Sequence, residues 1–145
     1  MLSNATIAWD YLDNCVFVAH RKGRLDDSDF GHFLEDLLPQ SNVQRVVVRA
    51  SDGAPRADHR ALLLHWFNAN SVRGAVLTDS VLARGGVTAL GWFGVTISAF
   101  PPDQLEQALN YVELPIAHWP DAKRVMNAAS ALVDSRRSGG SETRR

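Results

Sequence analysis

The sequence predicts a single-domain α/β fold: a mixed β-sheet built from an N-terminal β-hairpin followed by βα units. Three observations carry that expectation. The chain opens on two runs rich in β-branched and aromatic residues, separated only by turn-forming positions. Beyond residue 26, short apolar runs alternate with stretches of helical apolar spacing, the alternation expected of parallel strands joined by right-handed crossovers. Every connection is short, with no internal repeat or linker, so the 145 residues, 46% apolar and 21% charged, read as one domain over 1–135. Residues 136–145, RRSGGSETRR, have no apolar side chain to bury and read as a disordered basic tail.

Thr6 to Asp10 and Cys15 to His20 form the hairpin, turning through Tyr11, Leu12, Asp13 and Asn14. Asp26, Asp27, Ser28 and Asp29 then supply capping groups ahead of Phe30, Phe33, Leu34, Leu37 and Leu38, so a helix runs from about 27 to 38, where Pro39 follows. The run Arg45-Val46-Val47-Val48-Arg49-Ala50 has the continuous apolar character of a strand covered on both faces, and it is the expected central strand. Pro55 suits a first helical turn, and Ala61, Leu62, Leu63, Leu64, Trp66 and Phe67 give helical spacing over about 56–69. Ala75 to Thr78 is the next strand, Asp79 and Ser80 cap a helix over 81–92, and Val95 to Phe100 is a further strand. Pro101 and Pro102 start a helix with Leu105, Ala108, Leu109 and Val112 on one side, ending at Pro115. A last helix over about 120–134 carries Val125, Met126, Ala129, Leu132 and Val133. The order is ββαβαβαβα(α).

Composition excludes several function classes. The tail carries +3, which leaves 1–135 at −4, and an acidic body lacks the concentrated basic face that duplex nucleic acid requires. No apolar run approaches the ~20 residues of a membrane span. A lone cysteine, Cys15, and a start without signal-peptide character point to a reducing, cytoplasmic setting. There is no GxGxxG and no GxxxxGK[ST], and His20, His32, His59, His65 and His118 fall outside metal-ligand spacings, so neither cofactor nor metal is expected. Cys15 lies mid-strand among apolar residues and reads as a core side chain. Asp52 with His59, or Asp79, would be the acid–base groups of an enzyme, but no nucleophile stands at a recognised spacing from a base, so catalysis is not expected.

Two polar clusters occupy the carboxyl ends of parallel strands, where open α/β sheets present their ligand loops and helix N-termini. The first is Ser51, Asp52, Gly53, Ala54 and Pro55, with Arg56, Asp58, His59 and Arg60 in the following turn. The second is Thr78, Asp79 and Ser80, with Arg84, Gly85 and Gly86 one turn later. Capping explains part of this: Asp52, Asp79 and Ser80 accept from free helix N–H groups, and Gly53 takes a positive φ. Arg84 opposes the positive end of its helix dipole and so calls for a nearby anion, either Asp79 or an external phosphate or carboxylate. Ser51 and Ser80 are the hydroxyls at which a phosphate would meet a helix N-terminus and nearby arginines. The glycine pair costs about 1 kcal/mol per residue against Ala in a helix, which implies close packing against a neighbouring backbone or a partner.

Residues 47–100 resemble the SpoIIAA-like proteins of the STAS/SEC14 domain group. The resemblance is carried by Ser51-Asp52-Gly53-Ala54-Pro55 with Asp58-His59-Arg60-Ala61-Leu62, by Val76-Leu77-Thr78-Asp79-Ser80 with Arg84 to Phe93, and by Ala99-Phe100-Pro101. It implies a four- or five-stranded mixed sheet with helices mainly on one face, and a regulatory, protein-binding role without catalysis. It also implies control by phosphorylation near Ser51, although this chain has Ser-Asp-Gly where the phosphorylated antagonists of the group carry an Asp-Ser-Ser type loop. The SEC14 side of the label implies the alternative of a hydrophobic-ligand or lipid carrier, with Trp66, Phe67, Trp92 and Phe93 lining an apolar cavity. The expected partner is accordingly another protein, a second copy of the chain, or a hydrophobic ligand.

Overall fold

The computed structural model describes residues 1–135 in full and the backbone of 136–143; the tail expected over 136–145 lies outside the fully described residues. One six-stranded sheet runs in chain order: β1 (Leu2–Ser3), β2 (Ile7–Leu12), β3 (Cys15–His20), β4 (Arg45–Arg49), β5 (Arg73–Leu77) and β6 (Thr96–Phe100). β1, β2 and β3 pair antiparallel, and β3 through β6 pair parallel, so the mixed α/β fold is as the sequence predicts. β1 is the addition, since a two-residue edge strand carries no periodicity to read. The hairpin is also longer than expected. Leu12 pairs with Cys15, and the turn contracts to Asp13 and Asn14, with Asp13 in the left-handed region (φ 54°).

Five helices cover the sheet: α1 (Asp27–Leu37), α2 (Ala57–Asn70), α3 (Val81–Trp92), α4 (Leu105–Tyr111) and α5 (Trp119–Thr143). The parallel strands advance in one direction across the sheet, so crossovers of one hand carry their helices over one face. α1, α2 and α3 are those helices, and Phe30, Phe33, Leu34, Leu37, Trp66, Phe67 and Leu90 pack there on Val16, Val18, Val46 and Ile97. The other face would be bare without the chain that follows β6. α4 and α5 return across it and bury Ala108, Leu109, Ala122, Met126, Ala129 and Val133 on Cys15, Phe17, Ala19, Val47, Ala75 and Leu77. The expectation of helices mainly on one face therefore holds for the crossover helices and is corrected for α4 and α5. The three-layer result agrees with the two-sided apolar character of β4.

Local chemistry accounts for the boundaries. The Asp26 carboxylate accepts from the Asp29 N–H (2.9 Å) and starts α1. α2 begins without a side-chain cap, at Arg56, and ends on Ser71 in the left-handed region. α4 is shorter than predicted: Pro101 to Gln104 form a turn closed by the Gln104 N–H on the Pro101 carbonyl (3.0 Å), and Gln104, outside the helical region, is the N-cap, so the helix begins only at Leu105. In α5, Ala122, Met126, Ala129 and Val133 recur at a four-three-four spacing that forms one apolar stripe. Gly74 in β5 is required by packing: a Cβ there would meet the Phe67 ring at 3.1 Å and Ile97 at 3.2 Å.

Candidate functional site

The two polar clusters meet. Ser80 Oγ donates to the Asp52 carbonyl (3.2 Å) and accepts from the Ala83 N–H (3.3 Å), so one hydroxyl caps α3 and ties the loop after β4 to the loop after β5. The Ser80 N–H in turn donates to Thr78 Oγ1 (2.9 Å), and the Asp52 N–H to the Gly23 carbonyl (2.9 Å). Ser80 is therefore the cap that the sequence predicts. Asp52 is not: it serves through its backbone, and no side chain caps α2.

The arginines and glycines need similar corrections. Arg84 donates to the Thr78 carbonyl (3.1 Å) rather than pairing with Asp79; a backbone carbonyl at the strand end supplies the negative partner that the helix dipole demanded. Arg56 forms an exposed ion pair with Asp58 (2.6 Å), which holds the Arg56 pKa above and the Asp58 pKa below their ordinary values through that hydrogen bond. Arg60 donates to the Pro55 carbonyl (2.5 Å). Among the described residues the positive-φ glycines are Gly23 and Gly94, not Gly53, where a Cβ would make ordinary contact with Leu25 Cβ at 3.7 Å. Gly86 does pack closely, since a Cβ would meet Ala54 Cβ at 3.4 Å, whereas Gly85 faces open space.

Ser51 is buried, at 4% exposure, so a kinase cannot reach its hydroxyl in the folded chain. Ser80 is half-buried and is the accessible member of the pair. Cys15 is fully buried, and burial pushes its thiol up to about 12, as befits a core residue.

Beneath the joined loops lies an apolar cavity of about 120 Å3 between the sheet and α1, α2 and α3. Trp66 and Phe67 line it as expected, together with Val18, Phe30, Phe33, Val76, Leu90 and Ile97, and Ser51, Gly53 and Arg60 form part of its wall. Trp92 and Phe93 do not line it. They stand in solvent at 81% and 66% exposure, beyond the C-terminal turn of α3. His20, which the sequence marks only as a histidine outside metal-ligand spacings, lines the cavity at 5% exposure, stacks on Phe30 (centroids 5.9 Å apart), and has no hydrogen-bond partner for Nδ1. Alternation along β3 is the signal that could have found it, because His20 follows Val16 and Val18 on the same side of the strand.

Among the described residues, four of the five most exposed large apolar side chains sit on α3 and its C-cap. Ala83, Gly86, Val87 and Leu90 turn toward the cavity, while Val81 (83% exposed) and Leu82 (68%) join Trp92 and Phe93 outside. Trp9, Trp66 and Trp119 each donate their indole N–H, to Asp36, the Gln40 carbonyl and the Leu114 carbonyl respectively, and are held in place. Among the described residues no group of His, Cys, Asp and Glu could hold a metal ion, and no helix is long and apolar enough to cross a membrane. No protein-family model matches the chain, and no curated protein is significantly similar to it.

Proposed function

We propose that this chain is a non-enzymatic regulatory module of the SpoIIAA-like, STAS-domain type, working in the cytoplasm, that captures a protein partner through the outer side of α3, Arg84 in its first turn, and the adjoining 51–56 and 78–80 loops. The observation that carries this reading is the exposure of Val81, Leu82, Trp92 and Phe93 on one short helix and its C-cap. Large apolar side chains left in solvent along one helix point to an interaction surface, and tryptophan is among the residues enriched in binding hot spots. Gly85 and Gly91, with nothing within 4 Å of where a Cβ would stand, leave room for a partner backbone to approach. Control by phosphorylation is proposed at Ser80 alone, where a phosphate would replace the hydroxyl donor to Asp52 and lie at the N-terminus of α3 beside Arg84.

The test compares the wild-type chain with Trp92→Ser and with Val81→Ser/Leu82→Ser, measuring self-association by analytical ultracentrifugation and partner capture from the host extract. At least a tenfold loss of association, with circular dichroism and melting temperature unchanged, supports the reading. Association that survives both variants removes α3 from the interface and ends it.

A second reading, that of a hydrophobic-ligand carrier, is favoured by the cavity itself. Its walls are almost wholly apolar, and α3 closes it with only one of the helix's large side chains, Leu90, and the smaller Val87. Its test is ligand binding, treated below.

A further inference from the structure

We infer that the cavity between the sheet and α1, α2 and α3 binds one compact, uncharged, ring-sized apolar molecule bearing a single hydrogen-bonding group, with His20 as its polar contact. The inference rests on the carrier reading and narrows it to a ligand class. Size sets the first limit. An engineered apolar cavity of roughly 150 Å3 takes up benzene, so about 120 Å3 fits a single ring and does not hold an extended long acyl chain.

The walls set the second limit. Phe30, Phe33, Trp66 and Phe67 present aromatic surface, and the Trp66 N–H is already given to the Gln40 carbonyl (3.2 Å), so the tryptophan offers ring contact and no free donor. Flat apolar surface of this kind suits a planar or compact cyclic guest.

His20 sets the third. It is nineteen-twentieths buried, belongs to the cavity wall, and its Nδ1 lacks a partner, whereas buried polar atoms are ordinarily paired. A guest hydroxyl or N–H can supply what the protein leaves unmade. Burial, with Arg49 close by, pushes His20 down to about 4, so the imidazole is neutral at pH 7 and gives a carboxylate guest no ion pair. Arg60, the cation on the wall, is turned to the Pro55 carbonyl (2.5 Å). Neutral imidazole, apolar walls and a one-ring volume together specify a phenol-like guest.

Phenol, benzene and palmitate titrated separately into the full-length protein provide the test, read by calorimetry and by the ring-nitrogen NMR shifts of His20. The expected result is phenol binding at least tenfold tighter than benzene, with a shift at His20. In His20→Phe the preference for phenol disappears while benzene affinity is kept, and Ala83→Leu, which enlarges a wall residue of α3, abolishes both. Circular dichroism establishes that each variant is folded; the wild-type phenol preference and His20 shift decide the question if a variant is not. Equal affinity for phenol and benzene, or a phenol preference that survives His20→Phe, overturns the inference. Palmitate binding in the absence of phenol binding overturns it and leaves the carrier reading standing, whereas binding of none of the three overturns both.

Discussion

Helices α3 and α5 do the same architectural work, each laid across one face of the same sheet, yet they are built to opposite standards. α5 presents Ala122, Met126, Ala129 and Val133 to the sheet at 4% exposure or less, and the layer beneath it forms one dry cluster with α4 and the sheet. α3 has a single buried residue, Ala83, three glycines, a cavity under its inner side and bare apolar side chains outside. A helix that leaves large apolar side chains in solvent at both ends is not optimised for the isolated chain. The comparison teaches that both faces of the sheet bury an apolar cluster, but that packing is closed beneath α5 and left incomplete beneath α3.

The largest effect that could break this comparison lies in the closed layer. Phe17, fully buried beneath α5, is expected to cost about 3–5 kcal/mol when changed to Ala, read by denaturant unfolding. A loss below about 1 kcal/mol would mean that this layer is not closely packed.

Next in size is the pH response of the open layer. The unfolded chain takes up a proton at the ordinary imidazole value of 6.5, whereas the folded chain resists protonation of His20 until about pH 4. Folding stability is therefore insensitive to this group above pH 6.5 and falls as pH drops from 6.5 to 4, by about 3 kcal/mol in all. His20→Phe should flatten that part of the stability profile; an unchanged slope would show that the imidazole charges freely in the folded state.

Smaller effects sharpen the picture of α3. Gly85→Ala should stabilise the isolated chain by about 1 kcal/mol, because its Cβ meets nothing and the helix gains propensity. Gly86→Ala should gain less, with Ala54 Cβ at 3.4 Å from the new methyl. Thermal melts of the two variants side by side check the order. The smallest change in stability is expected for Trp92→Ser, within about 0.5 kcal/mol, since the side chain stands in solvent. A markedly larger loss would show that Trp92 is packed within the chain and is not available to a partner.

Much of the fold was legible because its signals are local. Runs of β-branched and aromatic residues around a tight turn placed β2 and β3, Asp26 and Ser80 marked helix starts, and the apolar run at Val46, Val47 and Val48 announced a strand covered on both sides. The site was legible in part: the loops at Ser51–Pro55 and Thr78–Ser80 were found, but not that one hydrogen bond from Ser80 to Asp52 joins them. Trp66 and Trp92 look alike as letters in apolar helical runs, and only the packed structure buries Trp66 of α2 in the cluster against the sheet and leaves Trp92, at the end of α3, in solvent. The arginines flanking the strands show the same gap. Arg45 donates to the Val112 and Glu113 carbonyls and Arg73 to the Tyr111 carbonyl, where α4 ends in free acceptors. Arg49 grips Asp134 with both nitrogens across 85 residues of chain and also donates to the His20 carbonyl.

The sequence by itself determined the class and order of elements, the crossover helices, the caps of α1 and α3, and the burial of Cys15, because each follows from periodicity and hydrogen-bonding chemistry within a few residues. Tertiary structure alone decided that α4 and α5 would close the second face, that a cavity would remain beneath α3, and that His20 would meet it without a partner for Nδ1. Those outcomes depend on how volumes fill the space between distant segments, and volume is a property of the packed assembly that no local pattern encodes.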